Sequence, residues 1–127
     1  MPKQQLKIAS DTSTSSPYSP GLRVGDFVFV SGQVPRDPAT GKIVGETIEE
    51  QTTQVIENIK AILAEGGAIL ADVVKVSAHL TDLSLFERYN KVYVSYFPDP
   101  KPVRTTVGSQ LLGFLVEIDA IAYVGKE

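Results

Sequence analysis

Alternation of apolar and polar side chains near the C-terminus constrains the fold of this chain more than any other feature. In the run VEIDAIAY, one face of a strand carries Val116, Ile118, Ala120 and Ala122, and Glu117 points to the other face. The preceding run PVRTTV carries Arg104 in a second strand-like pattern. A turn through Gly113 could pair the two runs as antiparallel neighbours, so that Arg104 and Glu117 meet in one cleft.

The chemistry of these two residues allows two interpretations. A guanidinium beside a carboxyl group suits a site that grips a substrate carboxylate bidentately and moves a proton next to it. An ion pair on a solvated sheet face would use the same two residues, and such pairs contribute only ~0–1 kcal/mol. The spacing alone leaves both interpretations open.

Composition limits the other chemistry available. The 127 residues, 43% of them hydrophobic, are expected to form a single domain spanning 1–127 with a real core. Cysteine is absent and His79 is the only histidine, which disfavours disulfides, thiolate nucleophiles and multi-imidazole metal sites. A formal net charge of -3 argues against a nucleic-acid surface. With no signal-peptide pattern and no long apolar run, we expect a soluble cytoplasmic protein without a membrane partner.

The remaining patterns predict an α+β layer. Thr47 and Glu50 form a capping box before a helix of about 17 residues that ends at Gly66-Gly67. A second helix is predicted from about Asp82 to Pro98, with an aromatic stripe that we interpret as core. The other predicted strands are Leu6–Ile8, the hairpin Leu22–Val24 and Phe27–Val30, and Val73–Leu80 with Val74, Val76, Ala78 and Leu80 on one face.

This order places two helices on one face of a mixed sheet. No helix remains to cover the other face. Because large exposed apolar patches mark interfaces, we expect the protein to self-associate through the sheet. On their positions in these elements, His79 is interpreted as structural and Asp119 as exposed to solvent or an interface.

Eight segments in order resemble the RidA (YjgF-like) family of reactive-intermediate deaminases. They are PYSPG, FVFVSGQVP, DPATGKIV, QTTQVIENIKAIL, DVVKVSAHLTDLSLF, YNKVYVSYF, PVRTTV and VEIDAIA, and they extend from Tyr18 to Ala122. The resemblance implies a chorismate-mutase-like α+β fold, a homotrimer whose sheets form a central barrel, and three clefts between subunits. It also implies that no cofactor is required, and we expect no metal site.

The resemblance also implies residue roles. Arg104 corresponds to the arginine that binds the substrate carboxylate, and Glu117 to the glutamate that positions or activates the attacking water. The backbone carbonyl of Thr106 is expected to hold the same water. The other residues implied to bind substrate are Tyr18, Ser31, Gly32 and Asn90.

The implied activity is hydrolysis of enamines and imines such as 2-aminoacrylate, 2-iminopropanoate and 2-iminobutanoate to 2-keto acids and ammonia. Thr106 stands where the best-known branch of the family has cysteine. The loop from Gly108 to Phe114 is shorter than usual and lacks the usual Leu-Pro, which leaves the substrate open. A related deaminase, acting on aminoacrylate from pyrimidine breakdown or on 2-aminomuconate, is one alternative. A non-catalytic carboxylate-binding or chaperone-like trimer and a ribonuclease that inhibits translation are the others.

Overall fold

A computed structural model, which describes residues 2–11 and 16–125, contains one mixed sheet with two α-helices on one face. The strands are β1 (Lys3–Leu6), β2 (Gly21–Val24), β3 (Phe27–Gln33), β4 (Val73–Leu80), β5 (Val103–Gly108) and β6 (Val116–Tyr123), and the helices are α1 (Ile48–Glu65) and α2 (Phe86–Tyr96). The strand order is β1-β2-β3-β6-β4-β5. Only β4 and β5 run parallel, and the other neighbouring pairs are antiparallel. The predicted α+β class is confirmed.

Helix α1 forms where the capping box predicts it. Thr47 Oγ1 accepts a hydrogen bond from Glu50 N at 3.1 Å, and Glu50 Oε1 accepts one from Thr47 N at 3.2 Å. Its apolar stripe is buried against the sheet. At the other end of the helix, Arg23 Nη1 donates to Gly66 O at 2.6 Å and so satisfies a carbonyl that has no partner within the helix. No helix in the described part of the chain is long and apolar enough to cross a membrane.

The aromatic stripe of α2 forms part of the core, as predicted. Asp82 caps a short 3₁₀ turn, Leu83–Leu85, that leads into α2. Tyr89, Tyr93 and Phe97 are buried beneath the helix. The ring centroids of Tyr93 and Phe97 lie 4.6 Å apart in a stacked arrangement.

The predicted antiparallel pair of C-terminal strands is wrong. β5 lies parallel to β4, and β4 separates it from β6. The chain leaves β4, crosses over the sheet through α2 and returns as β5 in the same direction. This crossover is the usual way to join parallel strands, and it buries the aromatic stripe of α2.

Two smaller predictions are also corrected. A register shift lies between Val73 and Lys75. It points Val73 into the core, with 4% of the residue exposed, and leaves Val74 44% exposed. Val74 therefore does not share the face of Val76. The short edge strand begins earlier than predicted and covers Lys3–Leu6.

In the part of the chain that the structure describes, no α-helix covers the second face of the sheet. We call it the open face. It carries exposed apolar side chains, namely those of Phe27, Phe29, Val103, Val107 and Tyr123. Phe27 contacts Tyr123 with ring centroids 5.1 Å apart. Self-association through this face remains a prediction.

Replacing a buried residue of α1 should reveal how much the helix–sheet core contributes to stability. Ile56 is completely buried between α1 and the sheet. We expect Ile56→Ala to lower the free energy of unfolding by about 2–5 kcal/mol, because it removes buried apolar contacts and leaves a cavity. Urea unfolding at one fixed protein concentration measures this change.

Ile69→Ala is the matched control, because Ile69 is 63% exposed. Its free energy of unfolding should change by less than about 0.5 kcal/mol. Equal losses in the two variants would contradict the assigned core.

Candidate functional site

Arg104 lies at the sheet edge beneath α2, on the face that carries the helices. Its register partner on β4 is Val76, a core residue. The guanidinium carbon lies 4.5 Å from the centre of the Tyr93 ring, and Arg104 Nη1 donates to Asn90 Oδ1 at 2.8 Å. The rings of Phe86 and Tyr89 lie at 5.6 and 5.7 Å. These aromatic faces and one amide fix the orientation of the cation.

No carboxylate of the described residues neutralises the charge of Arg104. Among the described residues, no carboxylate oxygen lies within 4.0 Å of its guanidinium, which donates instead to the neutral amide of Asn90. We call the surrounding depression the arginine cleft; its lining residues are Asn90, Tyr93, Val94, Lys101, Pro102 and Arg104. Lys101 Nζ in this cleft donates to the carbonyl of Phe97 near the C-terminus of α2. The arginine cleft is therefore suited to a carboxylate, which could take two parallel hydrogen bonds from the free guanidinium edge.

Three buried hydroxyl groups in this region have no hydrogen-bond partner in the described part of the chain: Tyr89 Oη, Tyr93 Oη and Thr106 Oγ1. Burial raises the pKa of Tyr93 to about 12, the neighbouring Tyr89 adds to this rise, and the positive charge of Arg104 opposes it. Burial likewise raises the pKa of Tyr89, again against Arg104. Tyrosine is neutral near pH 7 in any case, and the raised pKa values keep both side chains neutral further into the alkaline range, so that their rings face the cation without a competing negative charge.

A second depression lies on the open face around Glu117. We call it the carboxylate cleft, and its polar lining includes Tyr18, Ser31, Gly32, Glu117 and Asp119. A register shift between Val30 and Gln33 inserts Ser31-Gly32 into β3 as a bulge opposite β6. A bulge leaves backbone N–H and C=O groups without a hydrogen-bond partner on the neighbouring strand, so that these groups can bind a ligand.

Gly32 is required by the position of Glu117. A Cβ atom at residue 32 would overlap Glu117 Oε2, so only glycine at this position lets the carboxyl group lie directly against the backbone of β3. Ser31 Oγ donates to Ser19 O at 2.5 Å, and Ser31 N donates to Pro20 O at 2.9 Å. These two bonds fasten the segment that carries Tyr18 to the bulge.

The predicted site residues therefore divide into two groups. Arg104, Thr106 and Asn90 gather on the helix-bearing face, whereas Tyr18, Ser31-Gly32 and Glu117 gather on the open face. In register, Arg104 and Glu117 are three residues and two strands apart, or about 10 Å in each direction. The prediction that they share a cleft within one chain is wrong.

His79 and Asp119 lie near the carboxylate cleft. His79 Nδ1 and Ser109 Oγ are 2.7 Å apart, a hydrogen bond that ties β4 to the loop after β5. This contact agrees with the structural interpretation of His79. Asp119 lines the carboxylate cleft, and burial raises the pKa of its carboxyl group while His79 and Lys75 oppose the rise.

Two contributions were missed from the sequence. The tyrosine stripe of α2 was assigned to the core alone, yet Tyr89 and Tyr93 also hold Arg104. The signal was present in their helical spacing next to Asn90, but only the parallel position of β5 shows that the arginine lies against it. The close approach of Glu117 to Gly32 has no local sequence signal.

Comparison with known proteins defines the class to which this fold belongs. A family model described as "Endoribonuclease L-PSP" matches residues 9–124. A RutC family protein of Pyrococcus abyssi is 54% identical over 97% of this chain and 98% of its own length. The chloroplastic Reactive Intermediate Deaminase A of Arabidopsis thaliana is 42% identical over 94% of this chain and 65% of its own length.

A solved structure shows the same fold. The structure of E. coli TdcF with bound serine superposes with a TM-score of 0.83 at 32% identity, covering 94% of this chain and 98% of that one. The chain belongs to the RidA (YjgF-like) family, as the eight segments predicted.

The burial of Tyr93 beside Arg104 should make the free energy of unfolding fall at alkaline pH. Folded Tyr93 keeps its proton to about pH 12, whereas an unfolded tyrosine loses it near 10.0. The folded state thus binds more protons in this window, so stability falls as the pH rises through it. We expect Tyr93→Phe to make this fall smaller, as measured by thermal unfolding at several pH values.

Part of the alkaline loss should remain in Tyr93→Phe, because burial also raises the pKa of Tyr96 to about 12. Tyr18→Phe is the control, since Tyr18 is 57% exposed. An unchanged pH dependence in Tyr93→Phe would show that Tyr93 is not held as described.

Proposed function

We propose that this protein hydrolyses 2-imino acids and their enamine tautomers to 2-keto acids and ammonia. The observation that carries the proposal is the unneutralised, pre-oriented guanidinium of Arg104 in a cleft open to small carboxylates. Two comparisons support it: the Arabidopsis relative is named a reactive intermediate deaminase, and E. coli TdcF has an amino acid, serine, bound.

The chemistry needs only positioning and proton transfer. Arg104 holds the substrate carboxylate, which leaves the imine carbon facing Glu117. Glu117 takes a proton from water as the water oxygen bonds to the carbon of the protonated imine, and the C=N electron pair moves to nitrogen to give a carbinolamine. Glu117 then gives that proton to the amino nitrogen and accepts the proton of the new hydroxyl group. The C–N bond then breaks, ammonia leaves and the carbonyl forms. An enamine first gains a proton on its β-carbon to become the imine. The Thr106 carbonyl is the second group proposed to hold the water.

We propose that the two clefts meet between different copies of the chain. β5 is an edge strand, so the arginine cleft opens at the rim of the sheet, whereas Glu117 lies on the open face. An edge packed against the open face of the next copy brings Arg104 of one subunit to Glu117 of another. Such an edge-to-face contact is heterologous, and repeated around an axis it closes into a ring. The family resemblance implies a ring of three.

Imine hydrolysis in the presence of variants tests this function. An amino-acid oxidase acting on alanine generates 2-iminopropanoate, and semicarbazide traps what remains, with the uncatalysed rate subtracted. Arg104→Ala should lower kcat/KM by about 10²–10⁴-fold, because it removes two charge-assisted hydrogen bonds of ~1.5–3 kcal/mol each. Glu117→Gln should lower kcat by about 10²–10⁴-fold, the usual contribution of a general acid-base group.

The Gly32→Ala variant tests the position of the Glu117 carboxyl group without removing that group. The added methyl group displaces a flexible side-chain end rather than backbone, so thermal stability should change little while activity falls as in Glu117→Gln. Arg88→Ala and Glu87→Gln are matched controls on the exposed side of α2 and should keep activity. If the wild type clears the imine no faster than Arg104→Ala, the proposal fails, and carboxylate binding without turnover would favour a non-catalytic role.

The description of the family model raises RNA cleavage as a second candidate. RNA-binding surfaces normally carry clustered lysine and arginine, whereas this chain has a formal net charge of -3. Two of its arginines are also paired within the fold, Arg23 with Asp26 and Arg88 with Glu49. RNA cleavage that persists in Arg104→Ala through rigorous purification would favour this candidate.

The proposed assembly has its own test. We expect the wild type to sediment at about three times the chain mass of 13.7 kDa. Phe29→Lys should dissociate the assembly and abolish imine hydrolysis, because it places a charge in the open face. Ile69→Lys, at an exposed site outside both clefts, should leave mass and activity unchanged. A monomeric wild type with full activity would overturn the shared site.

A further inference from the structure

The loop between β5 and β6, residues 109–115, is held firmly at both ends. Ser109 N donates to Leu80 O at 2.9 Å, and Leu115 N donates to Gln51 Oε1 at 2.8 Å. Gln51 is buried in α1, and its Nε2 donates to Gly45 O at 3.1 Å. A buried amide thus joins the loop to the helix layer. The loop is a fixed part of the wall of the carboxylate cleft.

This anchored loop presents apolar side chains to the cleft. Gly113 has a φ of 89°, a left-handed conformation that turns the chain between Leu112 and Phe114. Both of these side chains line the carboxylate cleft together with Glu117 and Gly32. Leu112 is 92% exposed, although it sits on a loop that the fold holds in place. Scattered exposed leucines need no explanation, but this one borders the proposed reaction site.

Both polar and apolar groups line the cleft. Tyr18, Ser31, Glu117 and Asp119 supply polar side chains, and the apolar lining residues are Phe29, Val30, Val34, Leu112, Phe114, Ala120 and Ile121. Phe29 and Ile121 belong to the open face, which the proposed assembly covers. Leu112 and Phe114 stand on the loop beyond the sheet, where they can contact a ligand.

We propose that Leu112 and Phe114 form a subsite for the substrate side chain and select 2-imino acids with branched or aromatic apolar side chains. This inference rests on the proposed function. With the carboxylate on Arg104 and the imine carbon at Glu117, the side chain is the part of the substrate left to meet the loop. The methyl group of 2-iminopropanoate is too small to cover both residues, whereas an isobutyl or benzyl group can.

The charges around the subsite favour the same class. Asp119 lines the carboxylate cleft, and a substrate side chain bearing a second carboxylate would meet it. When two substrates differ by one methylene group that enters an apolar pocket, their kcat/KM values differ by about 10- to 200-fold at most. The substrates expected are therefore the imines released when an amino-acid oxidase acts on leucine-like or phenylalanine-like amino acids.

The experiment compares kcat/KM for imines that one amino-acid oxidase generates at matched rates from alanine, leucine and phenylalanine. We expect the wild type to prefer the leucine- and phenylalanine-derived imines by about tenfold or more over the alanine-derived imine. Leu112→Ser should reduce this preference about tenfold, through a lower kcat/KM for the leucine- and phenylalanine-derived imines. Ile69→Ser is the matched control and should keep the wild-type preference.

Because Leu112 is almost fully exposed, its replacement should not disturb folding, and equal thermal unfolding temperatures will verify this. Turnover of the alanine-derived imine with no preference for larger side chains would overturn the subsite while leaving the proposed function intact. A preference that survives in Leu112→Ser would also overturn it. Absence of turnover with every imine would defeat the proposed function, and the subsite with it.

Discussion

The parallel pairing of β5 with β4 is the constraint on which the rest of this structure depends. It forces the chain to cross the sheet through α2, and the crossover lays the aromatic stripe of that helix over the sheet edge. Arg104, the second residue of β5, then meets the rings of Tyr93 and Tyr89 rather than solvent. A cation that rests on neutral aromatic faces is oriented without being neutralised, and this leaves its charge for a ligand.

The opposite half of the site depends on an irregularity instead of a regular pairing. Without the bulge at Ser31-Gly32, β3 would continue in register beside β6, and a side chain at position 32 would occupy the place of the Glu117 carboxyl group. The bulge therefore shapes the backbone and positions the acid at the same time. Its anchor is the pair of hydrogen bonds from Ser31 to Ser19 and Pro20, which also hold the segment bearing Tyr18.

Sequence patterns correctly predicted the features that depend on interactions between residues close in sequence. The capping box at Thr47, the aromatic stripe of α2 and the alternation along β6 all appear where they were expected, because each depends on neighbours in sequence. The partner of β5 could not be read in this way, since the run VRTTVG fits a hairpin and a crossover equally well. The register shift beside Val74 does not require a particular residue type, so the sequence does not indicate it. Alternation and residue type singled out Arg104 and Glu117, the family resemblance implied the other site residues, and their division between two faces required the strand order.

This division has a consequence for how the proposed enzyme evolves its specificity. The arginine half is built into the core, where Tyr89 and Tyr93 serve packing and cation binding together, so changes there affect both stability and substrate grip. Glu117 and Gly32 are coupled by close contact and cannot vary independently. The loop of residues 109–115 is different, because its ends are fixed by hydrogen bonds while Leu112 has almost no contacts to lose. Substrate preference can therefore change there at little cost to the fold, while the carboxylate grip and the acid remain constant.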